Sequence, residues 1–217
     1  MSKTIKVDVW SDIACPWCYI GKRKLESAIE QYTQNGGRVE VEYHSFLLNS
    51  DMPLDYEGSQ KEYLAKHKGL PIAQVESMSD RVKQIAASVG LVYDFENQIM
   101  TNSTLAHQVI HFAKAKGKQS EMKERLMAAH FVEAKHVGQI EVLADLAESI
   151  GLDRTEAIQA LESKQYLDAV AADTEQARAL GVNGVPFFVL QGKYGVSGAQ
   201  DSGVFLQAFE QIRAEES

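Results

Sequence analysis

Ser11-Asp12-Ile13-Ala14-Cys15-Pro16-Trp17-Cys18 contains both cysteines of this 217-residue chain, separated by two residues. An alternating apolar run precedes this stretch and a helical pattern follows it. The free N–H groups and the dipole at the start of a helix stabilise a thiolate. A second thiol one turn further along is close enough to form a disulfide. Cys-x-x-Cys after a strand and before a helix therefore predicts a redox-active dithiol.

Two other interpretations of the cysteine pair compete with this one. Structural zinc needs four ligands, and the chain has no second cysteine pair. His44 and His107 do not belong to a Cys-x-His or His-x-His spacing, so we predict no metal site. Buried, inert cysteines are also common in proteins. Pro16 and Trp17 argue against that reading, since proline is favoured in the first turn of a helix.

Composition and charge narrow the class of protein. The hydrophobic content of 45% and the charged content of 24% are ordinary for a globular chain. The net charge of −8 predicts no nucleic-acid partner. We find no signal-peptide pattern and no apolar run of membrane-spanning length, and so predict no membrane partner. The expected location is cytoplasmic, where a dithiol is more often catalytic or sensing than structural.

The first 48 residues predict a strand, the dithiol, a helix and a second strand. Ile5, Val7 and Val9 alternate with more polar residues, as in a strand. A second alternation covers residues 39–44, and a helical stripe lies between the two. Two strands joined by a helix favour a parallel βαβ unit. Residues 49–58 are interpreted as a loop.

The middle of the chain, from residue 59 to about 181, predicts helices and no strand. Its methionines are interpreted as packing residues rather than as part of a cofactor site. Residues 185–190 then predict a strand, residues 194–197 a return strand, and the two together an antiparallel hairpin before a last helix. The helical stripes of the middle include Met78/Val82/Ile85/Val89, Ala106/Val109/Ile110/Ala113, Val142/Leu143/Leu146/Ala147/Ile150 and Leu167/Val170/Ala171/Thr174.

These motifs resemble a known family. Cys15-Pro16-Trp17-Cys18 and Val185-Pro186 are similar to the two marks of the thioredoxin superfamily, and the helical insertion is similar to that of DsbA-like proteins. The residues around these two motifs resemble the FrnE branch of the DsbA family. That branch is related to 2-hydroxychromene-2-carboxylate isomerases and kappa-class glutathione transferases. The segments that carry this finer resemblance are Ser11-Asp12, Tyr19-Ile20-Gly21 and Gly184-Val185-Pro186-Phe187-Phe188.

The resemblance covers essentially the whole chain and implies an α/β fold. We expect a thioredoxin fold with a large all-helical insertion between the second strand and the cis-proline strand. The expected domains are a thioredoxin-fold domain made of residues 1–50 and 178–217, and a helical insertion domain made of residues 51–177.

The resemblance also implies roles for single residues. It makes Cys15 the exposed attacking thiol and Cys18 the buried resolving thiol. It makes Val185-Pro186 a cis peptide beside them, with Val185 able to pair with an extended substrate. Trp17, following Pro16, is expected to shape the surface that the substrate approaches. A plainer reading of Pro186 is that it merely starts an edge strand, a position that accepts proline.

The leading functional hypothesis is a thiol–disulfide oxidoreductase that acts on protein or small-molecule thiols and disulfides. The helix N-terminus is expected to lower the pKa of Cys15, which stabilises its thiolate as nucleophile and as leaving group. Asp12 is either a residue of the helix entry or a carboxylate that moves protons for Cys18. The direction of exchange and the redox potential are left open.

Two further hypotheses stay open. One is a glutathione-dependent isomerase or transferase, although those relatives typically have serine where this chain has Cys15. A segment similar to their cleft makes Asn102 and His107 candidate substrate-binding residues, whereas Asn102 or Ser103 can equally cap a helix. The other is a redox switch on a binding module. We expect no tightly bound cofactor, glutathione as a possible co-substrate, and a monomer or homodimer.

Overall fold

The computed structural model describes residues 4–215, which form a four-stranded sheet and a set of helices. Strands and helices alternate only at the two ends of the chain, as the sequence predicts. In chain order the elements are β1 (Ile5–Ser11), α1 (Pro16–Gln34), β2 (Val39–Ser45), α2 (Gln60–Lys68), α3 (Ile72–Ser88), α4 (Thr104–Ala115), α5 (Gln119–Phe131), α6 (Ile140–Ser149), α7 (Arg154–Glu162), α8 (Leu167–Ala179), β3 (Phe187–Leu190), β4 (Tyr194–Ser197) and α9 (Ser202–Glu215).

The sheet has the strand order β2-β1-β3-β4. β1 pairs with β2 in parallel, so the predicted βαβ unit is confirmed. β3 runs antiparallel to both β1 and β4, which confirms the predicted hairpin. The hairpin strand begins at Phe187, two residues later than predicted. Pro186 has no N–H to donate to a ladder, which is consistent with a strand that starts only after it.

The helices α2–α8 lie between β2 and β3 in the chain, and among the described residues of this segment no strand is found. The predicted α/β fold with a helical insertion before the proline strand is therefore confirmed. None of the described helices is long and apolar enough to cross a membrane. The division into two domains stays a prediction, and α8 spans its proposed boundary at residues 177/178.

Two hydrophobic clusters pack on opposite parts of α1. Tyr19 and Ile20 join a cluster formed mainly by the inserted helices. Leu25, Ala28 and Tyr32 join a second cluster formed by the sheet and α9. Burial of such side chains contributes about 1.5–3 kcal/mol each. Helix α1, which begins at the dithiol, is therefore fixed from both sides.

Two of the predicted helical stripes differ from the structure. Met78 is 44% exposed and does not belong to the core, since α3 packs over a cavity at this point. In α8 the predicted stripe includes Leu167 and Ala171, but both are exposed. The residues that α8 buries are Val170, Asp173 and Ala177. A purely apolar criterion misses this face because its central residue is a carboxylate.

That carboxylate belongs to a buried polar cluster joining the sheet to the insertion. His44 lies between two carboxylates. Its Nδ1 is 3.1 Å from Asp173 Oδ1, and its Nε2 is 2.8 Å from Asp8 Oδ1. His111 Nε2 lies 3.0 Å from the other oxygen of Asp173. Burial alone would lower the pKa of His44, but its two carboxylate partners raise it. The histidines and the Ser45 N–H hold the pKa of Asp173 well below its usual range against its burial.

Candidate active site

The dithiol lies at the start of α1. Cys15 is the residue before the first turn, with extended φ and ψ of −99° and 112°, and Pro16 occupies the first turn. The Cys18 N–H donates to the Cys15 carbonyl at 3.0 Å. The Tyr93 hydroxyl donates to the Pro16 carbonyl at 2.8 Å and ties the insertion to this turn. Both cysteines are free thiols.

Cys15 is less accessible than the resemblance implies. Its exposed fraction is 4%, against 3% for Cys18, so the expectation of an exposed attacking thiol is wrong for the residue as a whole. The inserted helices fold over the start of α1 and cover it. The two thiols still differ, because Cys15 lines a cavity and Cys18 does not form part of its wall. A small substrate in this cavity therefore meets Cys15 before Cys18.

The predicted proline loop lies beside the dithiol. The Val185-Pro186 peptide bond is cis, as the resemblance implies. Cys15 Sγ lies 3.5 Å from the Val185 carbonyl oxygen. On α1, a Cβ added to Gly21 would lie only 2.9 Å from the Pro186 ring, so the helix and the loop are in close contact. Trp17 is 38% exposed and lines the cavity next to Cys15 and Pro16.

Burial and a hydrogen bond between the two thiols shift their pKa values in opposite directions. A hydrogen bond to Cys18, together with burial, raises the pKa of Cys15. Burial alone would also raise the pKa of Cys18, but the bond from Cys15 and the charge of Lys123 lower it below its ordinary value. The expectation that the helix N-terminus lowers the pKa of Cys15 stays a prediction. The charge of Lys123 favours a thiolate on Cys18.

Asp12 is a fully buried carboxylate with several partners. Its Oδ2 accepts the Leu48 N–H at 2.8 Å, and its Oδ1 accepts the Ser103 hydroxyl at 2.7 Å and the Ala14 N–H at 3.2 Å. His107 Nε2 lies 3.2 Å from the same oxygen. Burial alone would raise the pKa of Asp12, but these partners, His107 foremost, lower it. The carboxylate therefore shapes the turn before α1 and also carries a charge beneath the dithiol.

The other two predicted substrate-binding residues lie behind the cavity wall rather than in it. His107 is buried beneath Asp12, and burial lowers its pKa. The Asn102 amide nitrogen donates to the Ser50 and Met52 carbonyls at 2.9 Å each. Asn102 Oδ1 also accepts the N–H of Thr104, the first residue of α4, at 2.8 Å. Both residues support the site, and a direct role in substrate binding stays a prediction.

Lys123 was not identified from the sequence. It lies on α5, is 1% exposed, and has no carboxylate within ion-pair distance among residues 4–215. Its Nζ is 3.5 Å from the Ser11 carbonyl oxygen and 5.8 Å from the centre of the Tyr43 ring. Burial lowers its pKa to about 8. The available signal was spacing, because Lys123 and His130 share one helical face with Leu126 and Met127.

A partly open cavity of about 350 Å³ lies against Cys15. Its wall is formed by the dithiol turn, residues 48–52, α2, α3, residues 95–103 and the end of α5. Most of this wall is apolar, and its methionines are Met52, Met78 and Met100. Met100 is nevertheless buried, whereas Met78 is exposed. The volume lies in the range of small-molecule sites.

No group of three or more histidine, cysteine or acidic side chains that could hold a metal ion occurs in the described part of the chain. The polar groups of the cavity wall are instead mostly engaged with the protein. The Ser103 hydroxyl donates to Asp12, and the Thr101 hydroxyl donates to the Leu54 carbonyl at 2.6 Å. The chemistry that the arrangement offers is that of two thiols, one of them facing a mainly apolar cavity.

Comparisons with known proteins agree with this geometry. Protein YwbO of Bacillus subtilis is 31% identical over 216 residues, covering 94% of this chain and 96% of that protein. The probable DsbA oxidoreductase SCO1869 of Streptomyces coelicolor is 35% identical, with a TM-score of 0.91 over 98% of this chain and 92% of that chain.

More distant structures share the fold. The cytosolic disulfide reductase DsbM of Pseudomonas aeruginosa is 20% identical, with a TM-score of 0.61 over 96% of this chain and 95% of its own. A 2-hydroxychromene-2-carboxylate isomerase is 17% identical, with a TM-score of 0.73 over 98% of this chain and 99% of its own. The model of the DSBA-like thioredoxin domain matches residues 6–210. This chain belongs to the DSBA-like thioredoxin domain family.

Proposed function

We propose that this protein is a thiol–disulfide oxidoreductase that uses Cys15 and Cys18 to exchange disulfides with thiol or disulfide substrates. The observation that carries the proposal is the inequality of two neighbouring free thiols. Cys15 faces a cavity and Cys18 does not. One sulfur can therefore meet a substrate while the other waits behind it to resolve the mixed disulfide.

The reductive half-reaction follows from this arrangement. Cys18 first gives its proton to water. Cys15 Sγ then attacks one sulfur of a substrate disulfide as its proton passes along the hydrogen bond to the Cys18 thiolate. The substrate S–S bond breaks, and the first substrate thiolate leaves and takes up a proton. Cys18, deprotonated again, attacks Cys15 Sγ and releases the second thiolate. The dithiol loses two electrons and two protons, and the disulfide becomes two thiols. The reverse sequence oxidises a dithiol substrate.

Two charged groups support the resolving step in this proposal. Lys123 favours the thiolate of Cys18, since its charge lowers the pKa of that thiol. Asp12 is proposed to take part in moving the Cys18 proton, with His107 held against its Oδ1. Val185 is proposed to meet the substrate backbone, because its carbonyl oxygen lies 3.5 Å from Cys15 Sγ. Pro186 and Trp17 flank this point of contact.

The test uses the two single cysteine variants. With Cys18→Ser, oxidised glutathione or a protein disulfide should leave a stable mixed disulfide on Cys15, detected by intact mass under non-reducing conditions. Cys15→Ser is the matched control and should form far less adduct, because Cys18 lies outside the cavity wall. Equal adduct on both variants, or none on Cys18→Ser, would refute the assignment of roles.

A glutathione-dependent isomerase or transferase is the second candidate. The observation that favours it is the cavity beside Cys15, which offers space for a small second substrate. The DsbM structure, which has been solved with glutathione, supports glutathione as a co-substrate in either case. Exchange requires both thiols, whereas a transferase requires only the one that faces the cavity. Full activity of Cys18→Ser in a transferase assay would therefore favour this candidate.

The proposal extends to the setting of the protein. DsbM is named a cytosolic disulfide reductase, and we propose a cytoplasmic location for this chain as well. The proposed partners are protein or small-molecule thiols and disulfides, and the proposed state is a monomer or homodimer. The division into a thioredoxin-fold domain and an insertion domain remains part of the proposal.

A further inference from the structure

The active-site cavity is larger and more apolar than contact with a bare disulfide requires. Beyond the dithiol, its wall contains the side chains of Val82, Phe95 and Phe131, together with Met78 and Met100. Apolar groups gain about 25 cal/mol for each Å² removed from water. A thiol or disulfide with an apolar body would therefore gain binding energy here that a polar one would not.

One polar group in this wall has no partner in the protein. His130 is buried, and its Nδ1 has no hydrogen bond among the described residues. Its Nε2 lies 2.8 Å from the amide nitrogen of Gln98, which is a donor, so Nε2 accepts. Burial lowers the pKa of His130 to about 4, which keeps the ring neutral near pH 7. The single ring proton is then on Nδ1, as an unsatisfied buried donor.

Charge in the wall argues against a strongly ionic substrate. Asp12 is buried there, and its pKa is lowered, so it repels a carboxylate that approaches Cys15. The cationic side chain in the wall is Lys68, which is exposed at the end of α2. Glutathione carries two carboxylates and one ammonium group. It fits the rim of the cavity better than its interior.

We propose that the preferred substrate is a small, mainly apolar thiol or disulfide carrying one hydroxyl or carbonyl oxygen, which accepts a hydrogen bond from His130 Nδ1 while the sulfur meets Cys15. This inference rests on the proposed thiol–disulfide exchange and names the substrate class for it. The reduced dithiol gives two electrons and two protons to the bound disulfide, which leaves as two thiols. No other reactant is needed for the half-reaction.

The test compares three symmetrical disulfides as oxidants of the reduced protein. They are bis[2-(4-hydroxyphenyl)ethyl] disulfide, bis(2-phenylethyl) disulfide and oxidised glutathione. Each rate constant is divided by the rate at which dithiothreitol reduces the same disulfide, which removes differences in intrinsic reactivity. The normalised rate with the plain phenylethyl probe should exceed that with glutathione by about tenfold or more. The hydroxyl should add about fivefold.

Two histidine variants distinguish a loss of the hydrogen bond from His130 from a general loss of structure. His130→Phe should abolish the advantage of the hydroxylated probe over the plain one. His136→Phe makes the same change at a histidine outside the cavity wall and should keep that advantage. If His130→Phe does not fold, Val82→Phe provides a second measurement. It narrows the cavity and should lower the rate of the plain phenylethyl probe relative to glutathione.

The outcomes are distinguishable. If no disulfide, glutathione included, oxidises the dithiol, the proposed function itself fails. If glutathione reacts and neither aromatic probe is faster after normalisation, exchange stands and the inferred substrate class is wrong. If both aromatic probes are fast but the hydroxyl has no effect, the role of His130 is refuted.

Discussion

Lys123 provides a prediction in which stability and reactivity move in opposite directions. Its pKa is held near 8, against an ordinary value of 10.5. At about 1.4 kcal/mol for each pH unit, keeping this buried ammonium group charged costs the folded protein about 3 kcal/mol near pH 7. Lys123→Met removes the charge and keeps most of the side-chain volume. We expect the reduced variant to be about 2–3 kcal/mol more stable than the natural protein at pH 7.

The same change should make the dithiol less reactive. The charge of Lys123 lowers the pKa of Cys18, so its loss leaves less of the thiol pair singly deprotonated at neutral pH. Alkylation is read at Cys15, the sulfur that faces the cavity and gives its proton to the Cys18 thiolate. Because a less acidic thiol is intrinsically more nucleophilic, the net fall in initial alkylation rate at pH 7 should be about three- to tenfold.

Urea unfolding of the reduced protein measures the stability, and the pH profile of iodoacetamide alkylation measures the thiolate. The folded lysine binds its proton less tightly than the unfolded one, so the wild type should gain stability as pH rises from about 8 towards 10.5, and Lys123→Met should lack that gain. Lys66→Met, at an exposed lysine of α2, is the control and should change neither measurement. A Lys123→Met protein that is less stable than the wild type, with an unchanged alkylation profile, would refute the reasoning.

Three further predictions concern packing and pH. Gly21→Ala places a Cβ 2.9 Å from the Pro186 ring and should lower the free energy of unfolding in urea by about 1–3 kcal/mol. Gly203→Ala is the control, because a Cβ there meets open space and should not lower the stability. Equal effects of the two changes would argue against the close contact between α1 and the proline loop. Because the pKa of His44 is raised in the folded protein, the protonated ring stabilises the fold. This contribution is fully present below about pH 6.5 and is lost as pH rises through the pKa of the folded state. His44→Gln should lack this slope, and an identical slope would count against the cluster. The lowered pKa of Asp12 gives stability that is present above about pH 4 and lost on acidification. Asp12→Asn should lose about 1–3 kcal/mol at pH 7 and show a shallower acid slope, and an unchanged acid titration would contradict this.

Local patterns were sufficient to predict the scaffold. The alternation in β1, the proline after Cys15 and the helical stripe of α1 each lie within a short window, and each formed as expected. The β3–β4 hairpin also follows from residues near its turn. Spacing alone could not place Val185 against Cys15, because 170 residues separate them. The resemblance to a known family supplied that contact.

The features that spacing could not supply depend on which segments meet in space. Burial of Cys15 results from inserted helices and loops that begin more than 30 residues further along the chain. The opposite shifts of the two thiol pKa values depend on the hydrogen bond between the thiols and on a lysine of α5. Lys123 and His130 could have been noticed as polar residues on an apolar helical face. The groups that Lys123 and His130 contact could not have been predicted in this way, because those groups belong to other elements.

A glutathione redox titration tests the central claim most directly, with the state of the dithiol read by thiol alkylation and mass. Exchange through Cys15 and Cys18 predicts a reversible intramolecular disulfide, with a potential within the roughly −120 to −270 mV range of known oxidoreductases. A potential near either end of that range would indicate whether the protein acts as a reductant or as an oxidant. If no intramolecular disulfide forms at any ratio of oxidised to reduced glutathione, or if glutathione remains attached to Cys15 without release by Cys18, the oxidoreductase account is contradicted.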